Sequence, residues 1–155
     1  MPVSSPNSQK YKTSLVTLVG PPNSGKSTLY NLLSGSKAKT VNYPGSTIEY
    51  SISRFLKKFD IKAKLVDSPG IISLMPDSPE EKLSIDYLFS HPKFGSPDLI
   101  VITSDASQLS RHLFLVQQVI DTNAKVIVVL TMIDLLNKKG YGISVNRLNQ
   151  LLKCD

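Results

Sequence analysis

The chain has 155 residues, of which 41% are hydrophobic and 19% charged, and its formal net charge is +6. This length allows one domain with a hydrophobic core, and the composition is that of a globular protein rather than a disordered or fibrous one. The longest apolar runs, Leu99 to Ile102 and Val126 to Leu130, are too short to span a bilayer, and residues 1–12 form a polar leader without the apolar segment of a signal peptide. We expect a soluble domain from residue 13 onwards, and the single cysteine, Cys154, excludes an internal disulfide and suits a reducing cytoplasm.

The first predicted elements are a strand, a helix and a hairpin. Apolar runs between glycine and proline residues predict a strand over Thr13–Val19, a helix over Lys26–Ser34 and a polar loop over Gly35–Thr47. A polar loop of that length is usually functional. The alternating runs Glu49–Phe55 and Ile61–Val66 predict an antiparallel hairpin.

The second half of the chain predicts alternating helices and strands. A helix is expected over Ser78–Phe89, where serine provides the N-cap and proline the first helical position. Leu99–Thr103 and Lys125–Thr131 are continuous runs rich in Ile and Val, which predicts strands covered on both faces, as in a parallel sheet. Further helices are expected over Arg111–Thr122 and Ser144–Lys153. This order predicts an α/β fold with right-handed crossovers and a ligand at the carboxyl ends of the strands.

Positive charge is concentrated between residues 37 and 64, where seven lysine and arginine residues face two acidic ones. Such a patch can meet anionic lipid or nucleic acid, but lysines scattered over a hairpin are more often a solvated face. No series of aromatic residues accompanies them, as single-stranded nucleic acid would require. We interpret the patch as a solvated face and expect no nucleic-acid partner.

The most specific motif is Gly20-Pro21-Pro22-Asn23-Ser24-Gly25-Lys26-Ser27-Thr28, which fits G-x-x-x-x-G-K-[ST] between the first predicted strand and helix. The glycines let the loop turn its backbone N–H groups towards a polyphosphate, and the following helix adds the positive end of its dipole. We expect Lys26 to contact the β and γ phosphates and the Ser27 hydroxyl to bind Mg²⁺. The alternative, a plain glycine turn, is disfavoured by this context.

Two further motifs follow predicted strands. Asp67-Ser68-Pro69-Gly70 begins where the strand ends, so that Asp67 can hold Mg²⁺ through water and the Gly70 N–H can contact a γ phosphate. The same four residues would also make a good turn.

Thr131-Met132-Ile133-Asp134 closes the last apolar strand. A carboxylate there accepts hydrogen bonds from the N1–H and 2-amino groups of guanine, which adenine lacks, so Asp134 favours GTP over ATP; a helix N-cap is the alternative.

The long loop ends in Asn42-Tyr43-Pro44-Gly45-Ser46-Thr47-Ile48-Glu49. Thr47 is the candidate hydroxyl that closes over Mg²⁺ and the γ phosphate, and Ser46 and Thr40 are weaker candidates. A loop that is released when the γ phosphate is lost would act as a switch. By composition this is only a Gly/Pro loop, so the assignment depends on a resemblance to known proteins.

From Leu15 to Cys154 the chain resembles the N-terminal GTPase domain of ferrous iron transport protein B, FeoB. The resemblance rests on the phosphate loop, on Asn42–Glu49, on the run Asp67-Ser68-Pro69-Gly70-Ile71-Ile72-Ser73-Leu74, and on Ser104–Arg111, which is similar to that family's Asp-Ala-x-x-Leu-x-Arg stretch. It implies a Ras-like P-loop domain that binds GTP or GDP with Mg²⁺. It also implies a cytoplasmic regulatory domain coupled to a membrane transporter of ferrous iron.

The resemblance assigns roles to single residues. It implies activation by K⁺ in place of an arginine finger, with Asn23 as the potassium ligand and Asp134 as the guanine reader. The implied Mg²⁺ residues are Ser27, Thr47 and Asp67. The residues expected to support hydrolysis are Asn23, Lys26, Thr47 and Gly70. Ile71 stands where Ras-type proteins place a glutamine, so we expect slow turnover.

Two departures from the family pattern modify these expectations. Thr131 replaces an asparagine whose amide braces the phosphate loop and contacts the base, and we expect this to weaken GTP binding by about 1 kcal/mol. The chain also stops at Asp155, before the final strand, the final helix and the loop that caps guanine. We therefore expect an incomplete G domain, or one whose exposed strand Lys125–Thr131 pairs with a partner or a second copy.

Two other functions stay open. A P-loop ATPase or small-molecule kinase would share the phosphate motif, but Asp134 and the Thr47 loop argue against it. A degenerate nucleotide-binding module that acts by protein contact without turnover would account for Thr131, although the phosphate and magnesium residues are intact. His91 and His112 lie far apart in the sequence without neighbouring ligands, so we interpret them as surface histidines rather than as parts of a metal cluster.

Overall fold

The computed structural model describes residues 13–35 and 38–153, so the predicted leader 1–12, Lys37 and Cys154 lie outside the described part. The strands there are β1 Ser14–Val19, β2 Lys39–Asn42, β3 Glu49–Arg54, β4 Ala63–Asp67, β5 Leu99–Asp105 and β6 Val126–Thr131. The helices are α1 Lys26–Ser34, α2 Pro79–Phe89, α3 Leu109–Asp121, α4 Ile133–Lys138 and α5 Val145–Leu152. Among the described residues, no helix combines the length and the apolar character that crossing a membrane needs.

All six strands form one sheet in the order β2-β3-β4-β1-β5-β6. β1 is parallel to both β4 and β5, and β6 is parallel to β5. β3 runs antiparallel to β4, and β2 antiparallel to β3. The predicted α/β class and the antiparallel hairpin are thus confirmed, and the carboxyl ends of the four parallel strands meet at one end of the sheet.

Side chains alternate between the two faces of the sheet, and helices cover both. Val19 and Ile102 point to the face that α2, α3 and α5 cover, through Leu88, Leu115 and Leu152. Leu18 and Val101 point to the opposite face, where Tyr30 of α1 packs on them. The continuous apolar runs of β1 and β5 are therefore explained by burial on both faces.

Several predicted boundaries agree with the structure. α1 has the predicted bounds, and Ser78 caps α2 by accepting a hydrogen bond of 3.1 Å from the Glu81 N–H. α5 is capped in the same way by Ser144, whose hydroxyl lies 3.4 Å from the Arg147 nitrogen.

Two expectations were wrong, and one helix was missed. Part of the predicted polar loop is β2, which has no apolar alternation of its own and owes its form to pairing with β3, as at Val41 opposite Tyr50. α4 was not predicted, since it has six residues and no side-chain cap. β6 is not covered on both faces, since Ile127 is 40% exposed. The expected position of this strand at an edge of the sheet is confirmed for the described residues.

Candidate functional site

The loop from Gly20 to Thr28 connects the carboxyl end of β1 to α1. Asn23 and Gly25 both have left-handed φ angles, 62° and 83°, and the Ser24 N–H donates to the Pro21 carbonyl at 3.2 Å. Gly25 is the N-cap of α1, and no side chain caps this helix. The N–H groups of its first turn are therefore available to an anionic ligand.

Thr103 lies beneath this loop and packs against it; the sequence analysis did not single it out. Its hydroxyl lies 2.6 Å from the Ser24 hydroxyl and 3.3 Å from the Val19 carbonyl oxygen. A Cβ added to Gly20 would come within 2.8 Å of the Thr103 carbonyl oxygen and closer still to its hydroxyl. Gly20 is therefore required by close packing. The available sequence signal was a hydroxyl residue at the carboxyl end of an otherwise apolar strand.

Thr131, at the end of β6, connects that strand to the loop through a side-chain hydrogen bond. Its hydroxyl lies 2.7 Å from the Ser24 carbonyl oxygen and 3.2 Å from the Ser104 carbonyl oxygen, so its one proton is donated at the shorter distance to Ser24. Its methyl group packs on Gly25, where an added Cβ would lie 3.1 Å away. We expected the change from asparagine to lose the brace on the phosphate loop. The structure corrects this, because the threonine hydroxyl supplies a brace of its own.

Lys26 and Asp67 meet in the site. The Lys26 ammonium forms an ion pair with the Asp67 carboxylate and donates to the Ser68 carbonyl oxygen at 2.6 Å. The two charged side chains are only 11% and 14% exposed. Ser68 is held in turn by β1, because its N–H and its hydroxyl both donate to the Leu18 carbonyl, at 3.2 and 2.7 Å. Breaking such a pair is costly unless each charge gains a new partner.

A cleft of about 500 Å³ lies over the loop. The residues that line it are Pro21, Pro22, Asn23, Gly25, Lys26, Ser27, Thr28, Gly70 and Met132. Gly70 lies against Pro22, where an added Cβ would come within 3.1 Å of the proline ring. The cleft thus joins the loop from Gly20 to Thr28, the turn after β4 and the start of the motif after β6.

The Thr47 loop is folded on itself and does not line this cleft. The Tyr43 N–H donates to the Ile48 carbonyl at 2.9 Å, and the Ser46 hydroxyl accepts from the Ile48 N–H at 2.9 Å. Thr47 is exposed, and Thr40 lies on β2 with its hydroxyl 3.4 Å from that of Ser51. Gly45 and Glu49 are exposed as well. None of the candidate loop hydroxyls is within the cleft, so a role there requires the loop to move.

The base motif continues into α4. Met132 has a left-handed φ of 54° and precedes the helix, whose first turn contains Asp134. Asp134 is exposed, and Ile133 is 39% exposed. The carboxylate is therefore accessible beside the cleft, two residues after Met132, which lines it.

His91 is buried rather than on the surface, so that prediction was wrong. It is 3% exposed, and its ring centroid lies 5.4 Å from that of Tyr43 and 4.6 Å from that of Phe94. Burial, with smaller contributions from Lys64 and Lys93, lowers the pKa of His91 to about 4. The aromatic residues around it come from three separate segments, which the sequence could not bring together.

The stretch Ser104–Arg111 orders the turn between β5 and α3. The Asp105 carboxylate accepts hydrogen bonds from the Ser107 N–H at 2.8 Å and the Gln108 side chain at 3.0 Å. Burial opposes ionisation of Asp105, but these hydrogen bonds outweigh it and leave the pKa of Asp105 below its ordinary value. His112 accepts from the Asp105 N–H at 2.9 Å, so it too has a structural contact.

The sequence of this chain is similar to sequences of known proteins. The sequence model of a family described as ferrous iron transport protein B matches residues 14–155. The Fe(2+) transporter FeoB of Escherichia coli is 36% identical over 143 residues, which cover 90% of this chain and 18% of that protein. FeoB of Helicobacter pylori is 37% identical over 141 residues, covering 91% of this chain and 21% of that protein. This chain spans about a fifth of the length of these curated relatives.

Solved structures are similar as well. NFeoB from S. thermophilus bound to GDP.AlF4- and K+ shares 38% identity and a TM-score of 0.75, covering 92% of this chain and 53% of that one. The G domain of the T. maritima FeoB iron transporter shares 31% identity and a TM-score of 0.76, covering 92% and 84%.

Proposed function

This chain belongs to the ferrous iron transport protein B family, and on that basis we propose that it binds guanine nucleotides and hydrolyses GTP slowly, with Mg²⁺, as a regulatory domain of ferrous iron transport. The observation that carries the proposal is the contact between Lys26 and Asp67 beside the phosphate loop. A phosphate-binding lysine and a magnesium-binding carboxylate are thereby within reach of one Mg²⁺–triphosphate.

The residues present fit a Mg²⁺–nucleotide. The uncapped start of α1 offers N–H groups to phosphate, and Ser27 and Asp67 offer the oxygen ligands that Mg²⁺ prefers. When bound, Mg²⁺ neutralises charge on the β and γ phosphates. The Lys26 ammonium would leave Asp67 for the phosphates, so both charges of the ion pair would gain new partners.

Two features bear on the rate of hydrolysis. Ile71 is 8% exposed and its N–H donates to the Gly20 carbonyl at 3.2 Å, so the residue after Gly70 is apolar and turned into the core. It cannot orient an attacking water, which supports slow turnover. Closure of the Thr47 loop would shield the γ phosphate from bulk water, and that movement would form the switch.

Potassium stimulation is proposed through Asn23. This residue is exposed at the edge of the cleft, where its side-chain carbonyl can contact a monovalent cation. One relative of known structure is described as bound to GDP.AlF4- and K+. We carry K⁺ over to this chain as a proposal on that likeness and on the oxygen donor of Asn23.

Guanine preference is proposed through Asp134, whose exposed carboxylate follows β6 beside the cleft.

The relatives are named Fe(2+) transporters, and this chain spans about a fifth of their length. We therefore propose that it acts at the cytoplasmic face of a membrane, coupled to a transporter portion. We also propose that β6, which lies at an edge of the sheet in the described residues, is a site of self-association.

The first test is competition for a fluorescent GDP analogue. Unlabelled GTP should displace it, whereas an equal concentration of ATP should not. Lys26→Met should weaken binding by more than tenfold, while Lys139→Met, at an exposed position after α4, should not. Displacement by ATP at equal concentration would refute the guanine assignment and favour an ATPase or kinase.

The second test measures phosphate release in KCl and in NaCl with the nucleotide site saturated. Turnover should be faster in KCl, and Asn23→Ala should remove the difference. Asn123→Ala is the matched control, because Asn123 also has a left-handed φ, of 60°, and lies at the end of α3. Absence of turnover in both salts would refute the GTPase proposal and favour a nucleotide-binding module without catalysis.

A further inference from the structure

The end of the sheet opposite the nucleotide cleft has a second concave surface. A groove of about 790 Å³ lies where β3 ends and where β1 and β4 begin. Its lining residues are Thr13, Arg54, Phe55, Lys57, Asp60, Ile61, Lys62 and Ala63. Three of the eight are cationic and one is acidic. We name the segment from Leu56 to Lys62 the basic turn; four of its residues, Lys57, Asp60, Ile61 and Lys62, line the groove.

The basic turn has a defined shape. The Phe59 N–H donates to the Leu56 carbonyl at 3.0 Å, and the Asp60 N–H donates to the Lys57 carbonyl at 3.1 Å. Leu56 is fixed to the end of α1, because its N–H donates to the Leu33 carbonyl at 2.8 Å. Asp60 has a left-handed φ of 50°, which aspartate tolerates better than most residues. The left-handed backbone conformation therefore accounts for an acidic residue in a turn that is otherwise basic.

The turn combines exposed apolar and cationic side chains, with Asp60 between Phe59 and Ile61. Phe59 is 36% exposed and Ile61 46% exposed, and the segment from Phe59 to Ile61 is flanked by the exposed Lys58 and Lys62. The Lys58 ammonium lies 5.0 Å from the centroid of the Phe59 ring. A solvated charge run needs no exposed apolar residues, whereas segments that bind at a membrane surface combine cations for the headgroups with apolar side chains for the boundary below them.

We propose that the basic turn and its groove bind the surface of an anionic lipid bilayer. Lys57, Lys58 and Lys62 contact the headgroup phosphates, and Phe59 and Ile61 enter the headgroup layer. Charge complementarity selects this occupant over the chain's own leader, because residues 1–12 carry two lysines and no acid. It is also preferred over single-stranded nucleic acid, because Phe55 is packed against the core and Phe59 is the one exposed aromatic side chain of the turn and groove, which makes no stacking platform.

This orientation has a consequence for the nucleotide site. The cleft lies at the carboxyl ends of the parallel strands and the basic turn at the other end of the sheet. A domain bound through the turn keeps the cleft facing away from the membrane, open to nucleotide exchange. The proposal goes beyond the nucleotide function and does not depend on it.

The test is flotation of the full chain with vesicles. Binding is expected to phosphatidylcholine vesicles that contain phosphatidylglycerol, and not to phosphatidylcholine alone, and it should weaken as salt is added. Each lysine near an anionic surface strengthens binding roughly fivefold, so Lys57→Gln/Lys58→Gln/Lys62→Gln should weaken it on the order of a hundredfold.

A matched triple variant controls for net charge. Lys82→Gln/Lys138→Gln/Lys139→Gln removes the same charge from exposed positions elsewhere and should leave vesicle binding close to wild type. Equal loss in the two triple variants would overturn the proposal, because binding would then depend on net charge alone. A wild-type unfolding midpoint in urea for each variant shows that the domain is folded.

Insertion is tested separately. The chain has no tryptophan, so Phe59→Trp introduces a single fluorescent reporter. Its emission should shift to shorter wavelength with phosphatidylglycerol vesicles and not with a short single-stranded RNA. A shift with RNA and none with vesicles would overturn the membrane assignment and favour nucleic acid.

Discussion

The hydroxyl of Thr131 provides the sharpest test of how this site is held together. Thr131→Val keeps the shape of the side chain but removes the donor that lies 2.7 Å from the Ser24 carbonyl oxygen. Ser24 is fully buried, so its carbonyl would lose a partner that water cannot readily replace. Loss of a neutral hydrogen bond that leaves a buried acceptor unpaired costs about 1–3 kcal/mol.

Part of that cost should appear as weaker nucleotide binding, because Ser24 belongs to the phosphate loop. If about 1–2 kcal/mol is lost from the bound state, GDP affinity falls roughly five- to thirtyfold. The measurement is titration with a fluorescent GDP analogue, alongside the free energy of unfolding in urea. Thr131→Ser keeps the hydroxyl and should keep most of the affinity.

Thr122→Val is the matched control. The Thr122 hydroxyl donates to the Val119 carbonyl, also at 2.7 Å, but at the end of α3. This variant should lower stability by about 1 kcal/mol or less and leave GDP affinity unchanged. The reasoning would be refuted if Thr131→Val bound GDP as tightly as wild type, or if both valine variants weakened binding equally.

Three further outcomes are expected. Gly20→Ala should lower the free energy of unfolding by about 1–3 kcal/mol or more, because the new methyl group meets Thr103, whereas Gly142→Ala has open space and should be nearly neutral. The pKa of His91 is lowered from 6.5 to about 4, so neutral His91 favours the folded state. This contribution is complete above pH 6.5 and is lost as the pH falls towards 4; the stability of wild type relative to His91→Phe should therefore fall by up to about 3 kcal/mol across that window. Ser78→Ala should cost about 1 kcal/mol, because the N-cap of α2 is lost.

Each of these three predictions is checked by measuring the free energy of unfolding in a denaturant titration. Equal stability of the Gly20→Ala and Gly142→Ala variants would contradict the close packing at the phosphate loop. A difference between wild type and His91→Phe that does not change with pH would show that His91 titrates normally in the folded chain. Retention of full stability in Ser78→Ala would mean that solvent replaces the cap.

The elements that the sequence predicted well are those with a strong local signal. β1 and β5 are buried on both faces and appear as continuous apolar runs, and the serine caps of α2 and α5 are fixed by residues within a few positions. β2 and α4 have weak local signals: the former exists through its partner strand, and the latter is a single short helix.

The phosphate loop, the turn at Asp67 and the family resemblance could be found from the sequence alone, because a phosphate site needs certain residues at fixed short spacings. What the tertiary structure decided are contacts between distant residues. Ser24 meets Thr103 from 79 positions away and Thr131 from 107 positions away, and Lys26 meets Asp67 across 41. The burial of His91 likewise depends on a distant residue, because its ring packs against Tyr43. Such pairings depend on strand order and register, which bring the ends of β1, β4, β5 and β6 together, and no local pattern records the distances that result.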